Sequence, residues 1–308
     1  MNPRILAPLF MLSSTFSLSL TGLLSKFLAH EIPLQSLSFL RFLLPALILL
    51  GVMSLTHFRF PPKGMKRALW VRSVCIAGCQ LCFIYSLQHL SLVESVVLFS
   101  TGPLFIPLLE KLIFGVVMKA GTVVSLAITF IGVLLLAGDV SGIHLRMELL
   151  VGLLAGALNA GSQLSLYRAT KSDMRSIDIN AWTFVCASIL LLPLLFLPTS
   201  DANVLQQTWG SLQQLAVVIA LSGVSILVIN TQIFRAKAYR LAHSGSQLAP
   251  LIFTNLLFTA LWQQLFFNVQ YLPTQMVGLG LIVMATFTGI LIPKLFKSSV
   301  SSNQLKSA

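Results

Sequence analysis

Charged residues are scarce in this 308-residue sequence: they make up 9% of it, and only 8 positions are acidic. A soluble domain carries about a quarter charged residues. Because 56% of the residues are hydrophobic, the composition argues against a soluble globular protein and indicates a membrane protein. At roughly 20 apolar residues for each span, the chain has room for about ten spans and for no additional soluble domain.

The motifs of nucleotide-driven and metal-dependent chemistry are missing. The sequence has no Walker phosphate loop, no GxGxxG and no HExxH, which disfavours ATP-driven pumping by this chain alone. It also shows no intramembrane nucleophile–base pair or acid pair, so we predict that it is not an enzyme and needs no cofactor. Any transport must then draw on a gradient, an exchange partner or the concentration of the substrate itself.

Cysteine is scarce as well, and four cysteines provide no secreted disulfide framework. Cys75, Cys79 and Cys82 share one helical face, which would suit a soft metal ion. No His or acid lies beside them on that segment, so packing of small side chains is the favoured interpretation. We therefore expect no metal site.

The basic excess predicts the topology. The net charge is +12, and in a multi-span protein Lys and Arg collect in cytoplasmic loops, so this charge does not indicate nucleic-acid binding. If the N-terminus is cytoplasmic, the inner segments hold sixteen of the 20 basic residues: Arg4, Arg59, Lys63, Lys66, Arg67, Arg72, Lys119, Arg168, Lys171, Arg175, Arg235, Lys237, Arg240, Lys294, Lys297 and Lys306. We predict that both termini are cytoplasmic.

Ten apolar segments are predicted to span the membrane, and the first is a retained signal anchor because no clear cleavage site follows it. The segments are Ile5–Ala29, Leu34–Thr56, Ala68–Leu90, Ser91–Val116, Ala120–Gly138, Glu148–Tyr167, Ile179–Pro198, Ser211–Phe234, Ser244–Val269 and Leu272–Pro293. The stretches TSDANVLQQTWG and RAKAYRLAH between them are predicted loops.

The fourth segment recurs as the ninth, displaced by 153 positions. This shift pairs Thr101 with Thr254 and Phe105 with Phe258, while Glu94 falls on Gln247. The chain therefore reads as two related halves, 1–145 and 146–296, followed by a disordered cytoplasmic tail, 297–308. Because five spans is an odd number, the halves enter the membrane from opposite sides. The predicted fold is all-α, with ten transmembrane helices in two inverted five-helix repeats.

Polar side chains within the spans mark a candidate substrate cavity, since a charge at mid-bilayer costs about 2.5–3.5 kcal/mol. The candidates are Glu94, Thr101, Phe105, Gln247, Thr254, Phe258, Trp262, Gln80, Tyr85, Asn159, Gln163 and Asn230. Alternatives stay open: the aromatic rings can pack against helices, the threonines can bond their own backbone, and Glu94 can sit at the interface. Glu94, Arg41 and Lys26 are candidates for charge coupling, although a structural role also fits each.

Five features of the sequence form a recognisable pattern together: Lys26 late in the first span, FLRFLLPALILL around Arg41, FIYSLQHLSLVESVVLFSTGPLFIPLL, TVVSLAITFIGVLLL and MVGLGLIVMATFTG. In these features the chain resembles the drug/metabolite transporter superfamily, in its EamA-like ten-span branch. The resemblance implies a small-molecule permease, often an exporter of amino acids or other metabolites, with a cavity formed by spans one, three, four, six, eight and nine. The sequence departs from the family at Val116 and Val269, where the family usually has Glu.

These observations predict a secondary transporter that moves a small metabolite, such as an amino acid, by alternating access. Export is favoured, with import or exchange as the alternative within this fold, and a channel or membrane-embedded enzyme as alternatives of another class. We expect a multi-pass protein of the bacterial inner membrane, a monomer or homodimer whose partners are the substrate and the lipid bilayer.

Overall fold

The computed structural model describes residues 3–56, 58–90, 92–115, 147–196, 204–242, 248–267 and 272–281, with positions 123–124, 127–128, 130–132, 135 and 284. Eleven of the 19 residues of the predicted fifth span and half of the 22 residues of the tenth lie outside the described residues. So do the family-departure positions Val116 and Val269 and the tail 297–308.

Eleven α-helices are delimited within the described part of the chain. They are α1 (Pro3–Glu31), α2 (Leu34–Leu55), α3 (Lys66–His89), α4 (Leu92–Phe99), α5 (Gly102–Phe114), α6 (Met147–Thr170), α7 (Ser176–Leu191), α8 (Val204–Leu212), α9 (Leu215–Leu241), α10 (Ala249–Ile252) and α11 (Thr254–Phe267). Short 3-10 turns precede α3 at Lys63–Met65 and follow α7 at Leu192–Phe196.

Seven helical segments of the described chain are long and apolar enough to cross a membrane. They are Leu6–Glu31, Leu34–Leu55, Lys63–His89, Ser95–Ile113, Met147–Thr170, Ser176–Phe196 and Leu215–Leu241. Large apolar side chains such as Leu150, Leu154, Ile219 and Ile226 point outward and are about half exposed or more. A surface of this kind suits lipid, and the prediction of an all-α, multi-span membrane protein is confirmed.

The two predicted loops that join the later spans are partly helical, so the loop prediction was wrong there. The stretch TSDANVLQQTWG contributes most of α8, which packs on the junction of α1 and α2. The Thr208 hydroxyl lies 2.7 Å from the Ser36 hydroxyl, and the Ser211 hydroxyl donates to the Glu31 carbonyl at 2.6 Å. Helix α9 continues through RAKAYR because Ala236, Ala238 and Tyr239 bury an apolar face that its basic residues obscure in the sequence.

Each main contact between the two halves has a counterpart in which the corresponding helices of the halves have changed places. Helix α1 packs along α9, α3 packs along α6, and α2 packs against α7. The pair α4 and α5 lies against α6, while α10 and α11 lie against α1. In addition α4 contacts α11 and α5 contacts α10, so the two broken helices cross in opposite directions. Thr101 and Thr254, two of the predicted polar residues of spans four and nine, therefore lie at the junction of the two halves.

Candidate functional site

The fourth and ninth predicted spans are each broken at the same repeat position. Helix α4 ends at Phe99 and α5 begins at Gly102, while α10 ends at Ile252 and α11 begins at Thr254. A displacement of 153 positions places Phe99 on Ile252, so the two breaks correspond. The repeat that was visible in the side chains is thus also present in the backbone.

A threonine stands at each break and bonds the same backbone group. The Thr101 hydroxyl donates to the Leu98 carbonyl at 2.6 Å, and the Thr254 hydroxyl lies 2.8 Å from the Leu251 carbonyl. Leu98 and Leu251 are also related by 153 positions. Both threonines are buried. These bonds agree with the alternative that each threonine hydroxyl bonds a carbonyl of its own span. A role of the threonines in substrate binding stays a prediction.

Helix α11 presents its predicted site residues to α1. The hydroxyls of Thr254 and Thr15 lie 2.7 Å apart, and the ring of Phe258 meets the ring of Phe16 edge-on, with centroids 5.3 Å apart. One turn further on, the indole N–H of Trp262 donates to the Ser19 hydroxyl at 2.9 Å. Three of the predicted residues therefore form one contact surface between the halves. Phe105, which corresponds to Phe258 in the first half, packs against the hydrophobic cluster that contains Ile106 and Leu251.

Replacing Trp262 by Phe isolates the polar part of this surface. Trp262→Phe keeps an aromatic ring near Phe16 but removes the donor to Ser19, so we expect a loss of about 0.6 kcal/mol in stability, the average for hydrogen bonds between membrane helices. Thermal unfolding in detergent measures the loss. Ser19→Ala removes the same bond from the other side, together with the bond from Ser19 to the Phe16 carbonyl. The double variant should therefore lose no more than Ser19→Ala alone. Additive losses would show that the bond contributes nothing.

The predicted amides of α6 and α9 form a second group. Gln163 Nε2 donates to the side-chain oxygen Oδ1 of Asn159 at 3.3 Å, and the Tyr239 hydroxyl donates to Gln163 Oε1 at 3.1 Å. Asn230 donates from Nδ2 to the Ser17 hydroxyl at 2.7 Å, linking α9 to α1. These side chains line the contacts among α1, α6 and α9.

The two basic candidates tie α1 to its neighbours. Lys26 Nζ donates to the carbonyls of Leu87 and Leu90, at 2.5 and 3.1 Å, where α3 ends. Arg41 is buried in α2, and its Nη1 donates to the Ser25 hydroxyl at 2.6 Å. These contacts suit the structural role that the sequence left open for both residues.

The remaining predicted residues are dispersed. Gln80 has a buried side-chain nitrogen without a partner in the described part of the chain, and Tyr85 stacks on His89 with centroids 4.2 Å apart. Glu94 has its backbone in α4, but its side chain lies outside the described residues. Gln247 lies outside them altogether.

Two arginines that the sequence placed in the inner segments are buried in the bundle instead. Arg72 is 0% and Arg235 is 1% exposed. The Nη2 atom of Arg72 donates to Asn180 Oδ1 at 2.7 Å and to Gln232 Oε1 at 3.1 Å. A signal existed for Arg72, which lies one turn inside the predicted third span. None existed for Arg235, which follows the predicted eighth span directly and enters a helix only because α9 is longer.

A surface cavity of about 310 Å³ lies beside the start of α7. Its lining consists of Arg59, Phe60, Pro62, Lys171, Ser172, Asp173, Met174 and Asp178. Arg175 holds Asp178 through two bonds of 2.9 and 2.7 Å, and this contact raises the pKa of Arg175. Lys171 donates to the Ala242 carbonyl at 2.5 Å, and partial burial lowers the pKa of Lys171. These contacts fix the loop before α7 to the end of α9.

Known proteins are similar to this chain in sequence and in fold. Two curated relatives, each described as "Pseudopaline exporter CntI" and found in two strains of Pseudomonas aeruginosa, are 23% identical over 255 residues, which cover 83% of this chain and 85% of each relative. One solved crystal structure superposes with a TM-score of 0.67 at 14% identity, covering 94% of this chain and 98% of the other.

The model of the EamA-like transporter family matches residues 5–138 and 147–290, one match in each half of the chain. The resemblance predicted from the sequence is therefore confirmed. With its apolar helices and its two family repeats, the chain is a multi-pass integral membrane transporter. It belongs to the EamA-like transporter family.

Proposed function

We propose that the protein exports a small metabolite across the bacterial inner membrane by alternating access. The two halves, 1–145 and 146–296, are inverted repeats of five spans each, and both termini are cytoplasmic. The observation that carries the proposal is the pair of matched helix breaks at Thr101 and Thr254, which lie where the halves meet.

Broken helices suit a transport path for a physical reason. Irregular backbone within a membrane is tolerated only where protein covers it or where it lines a cavity. Here α4 and α5 meet α6, and α10 and α11 meet α1, so each break faces the first helix of the opposite half. A displacement of one half against the other alters both contacts at once, which is what alternating access requires. The opposite crossing of the two broken helices supports the inverted arrangement.

The relatives and the lining residues indicate the substrate class. The curated relatives are named as exporters of pseudopaline, which favours export of a small organic solute here. Thr101, Phe105, Thr254, Phe258 and Trp262 provide hydroxyl, aromatic and indole groups at the junction of the halves. Such a lining fits a compact, partly polar metabolite.

Transport by the reconstituted protein tests this function. After a thermal-shift screen against a metabolite library, we expect saturable flux of the selected solute, accelerated by the same solute on the opposite side. Thr101→Ala, Phe105→Ala and Glu94→Gln should each lower the flux about 3- to 20-fold while the protein still inserts. Unchanged flux in all three would remove the cavity assignment. Single-channel currents would contradict a carrier.

The predicted topology is tested separately with reporter fusions. A fluorescent protein that matures only in the cytoplasm is fused to either terminus, and an alkaline phosphatase that works only outside is inserted in the loop 139–146. We expect fluorescence from both terminal fusions and phosphatase activity from the loop. A fluorescent N-terminal fusion beside a dark C-terminal fusion would imply an odd number of spans and contradict the five-plus-five arrangement.

A further inference from the structure

Two buried arginines and their neighbours form a polar cluster in the bundle. This buried arginine cluster consists of Arg72 on α3, Asn180 on α7, and Gln232, Arg235 and Tyr239 on α9. All but Gln232 are buried, and Arg72 and Arg235 are among the largest fully buried side chains in the described part of the chain. The cluster therefore joins a helix of the first half to two helices of the second.

The cluster holds its arginines in place but leaves much of their hydrogen-bonding capacity unused. The amide oxygens of Asn180 and Gln232 fix the Nη2 end of Arg72, and the Asn180 amide is itself held by the Ser176 carbonyl at 2.8 Å. Within the described residues, Nε and Nη1 of Arg72 and Nε and Nη2 of Arg235 are buried without a hydrogen-bond partner. For Arg235, these two nitrogens lie on one edge of the planar guanidinium.

That free edge has a definite chemical complement. The N–H groups on Nε and Nη2 point in parallel and match the two oxygens of a carboxylate, which they bind through two charge-assisted hydrogen bonds. A lysine or an amide cannot reproduce this geometry. Arg235 is close enough to Arg72 to act on it electrostatically, so the cluster holds two positive charges. A singly or doubly charged organic acid is the ligand that fits.

The energetics point in the same direction. Arginine stays protonated in proteins, so burial cannot be relieved by loss of the proton. A buried charge without an opposite charge is strongly unfavourable, and two like charges side by side add repulsion. Among the described residues neither arginine forms an ion pair with a carboxylate. Of the two buried acids among them, Asp178 pairs with Arg175, and Glu110 acts electrostatically on Tyr239 of the cluster. Folds retain such unfavourable arrangements mainly at functional sites.

We infer that the buried arginine cluster binds a carboxylate of the transported solute, with both oxygens on the Nε–Nη2 edge of Arg235 and with Arg72 as a second, fixed positive charge. The inference rests on the proposed function and narrows its substrate class to small metabolites that carry at least one carboxylate. Because the cluster joins α3 to α7 and α9, a bound carboxylate would link the two halves.

Binding of a minimal carboxylate tests the site directly. Thermal unfolding of the purified full-length protein in detergent is followed with acetate or its neutral isostere acetamide at roughly 1–200 mM, with ionic strength held constant by sodium chloride. We expect acetate to raise the unfolding temperature in a saturable way and acetamide to leave it unchanged. Equal responses to the two probes, or no response to acetate, would overturn the inference.

Matched variants locate the effect. Arg235→Gln and Arg235→Lys should weaken the acetate response at least about tenfold, the lysine variant because it keeps the charge but loses the planar fork. Arg67→Gln removes an exposed charge from the helix that carries Arg72 and should respond as the wild type does. An undiminished response in both Arg235 variants would overturn the site. If the glutamine variant does not fold, the lysine variant decides.

The unliganded protein gives an independent readout. Arg235→Met removes a buried charge that has no carboxylate partner within the described parts of the chain. Without any probe the variant should therefore unfold at the same temperature as the wild type or a higher one. A clear fall would show that Arg235 is a structural ion-pair partner and overturn the inference. Flux measured on the same variants separates the two proposals. Acetate binding without flux of any metabolite would refute the exporter, whereas flux of neutral solutes with acetate-insensitive unfolding would refute only the site.

Discussion

Gly156→Ala is expected to destabilise the protein, although alanine is the better residue in a helix interior. A Cβ at position 156 of α6 would lie 2.8 Å from the carbonyl oxygen of Leu98 and closer still to the hydroxyl of Thr101. It would also approach the backbone nitrogen of Gly102 to 3.2 Å. The Thr101 hydroxyl could rotate away only by giving up its bond to Leu98. The two backbone groups cannot move without displacing α4 and α5.

A second glycine supplies the matched control. Gly51 lies in α2, and a Cβ there would meet nothing within 4 Å. Replacing a helical glycine by alanine gains about 1 kcal/mol from helix propensity, and this gain applies to both sites. Overpacking at Gly156 costs about 1–3 kcal/mol against it. The unfolding temperature in detergent should therefore rise for Gly51→Ala. For Gly156→Ala it should fall, or at best stay unchanged.

The comparison of the two glycines tests whether the break in the fourth span is packed tightly against α6. An equal rise in both variants would mean that α6 and the break are loosely packed, which would undermine the argument that this junction transmits movement between the halves. Combining Gly156→Ala with Thr101→Ala should recover only part of the loss, because the clash with the Leu98 carbonyl remains. Full recovery would assign the whole effect to the hydroxyl.

The sequence was sufficient for the long apolar helices because membrane spans are defined by local composition, whereas α8 and the end of α9 were missed. Predicted Leu34–Thr56 and observed Leu34–Leu55 differ by one residue, and α1 exceeds its prediction by two residues at each end. The repeat could also be predicted, since Thr101 and Thr254 share a fixed displacement. The sequence also indicates kinks in the fourth and ninth spans, since Gly102-Pro103 and Pro250 interrupt them beside the observed breaks. The bond from each threonine hydroxyl to the carbonyl three residues earlier leaves no pattern in composition.

The buried arginine cluster was missed for a different reason. The rule that basic residues collect in cytoplasmic loops treats each arginine as solvated, and it gave Arg72 and Arg235 the same weight as the exposed Arg67. Apart from the position of Arg72 inside the predicted third span, only the tertiary contacts distinguish them: Asn180 is 108 positions from Arg72 in the chain, and Gln232 is 160 positions from it. Burial of a charge depends on such distant partners, and a single sequence without aligned relatives does not show them.

Thr254→Val is expected to slow transport, because the hydroxyl of Thr254 belongs to a group of three contacts that share only two hydroxyl hydrogens. Thr15 and Thr254 each carry one hydroxyl hydrogen, and these two hydrogens serve three short contacts: one to Leu12 at 2.9 Å, one to Leu251 at 2.8 Å, and the 2.7 Å contact between the hydroxyls. At any moment one contact lacks a proton. The hydroxyl pair can therefore form and break without leaving a backbone carbonyl far from a donor, which suits a junction that opens.

Valine has nearly the shape of threonine but cannot hydrogen-bond, so it removes the contact without opening a cavity. Hydrogen bonds between membrane helices contribute about 0.6 kcal/mol on average and at most about 1.7 kcal/mol, which corresponds to roughly 3- to 20-fold in flux if the cycle must pass through the arrangement with α11 against α1. Thr254→Ser keeps the hydroxyl and should transport at close to the wild-type rate.

A double-mutant cycle with Thr15→Val separates this contact from general damage. If the two hydroxyls act on each other, the double variant loses little more flux than either single variant, giving a coupling free energy of at least about 0.5 kcal/mol. Thr101→Val offers a second comparison. Within the described residues the Thr101 hydroxyl bonds only the Leu98 carbonyl of its own span, and it faces Gly156 of α6. Fully additive losses for Thr15 and Thr254 would show that the halves do not communicate through these hydroxyls. Coupling between the halves would then have to pass through the aromatic contacts of Phe258 and Trp262 with Phe16. Phe16→Leu would disrupt these contacts.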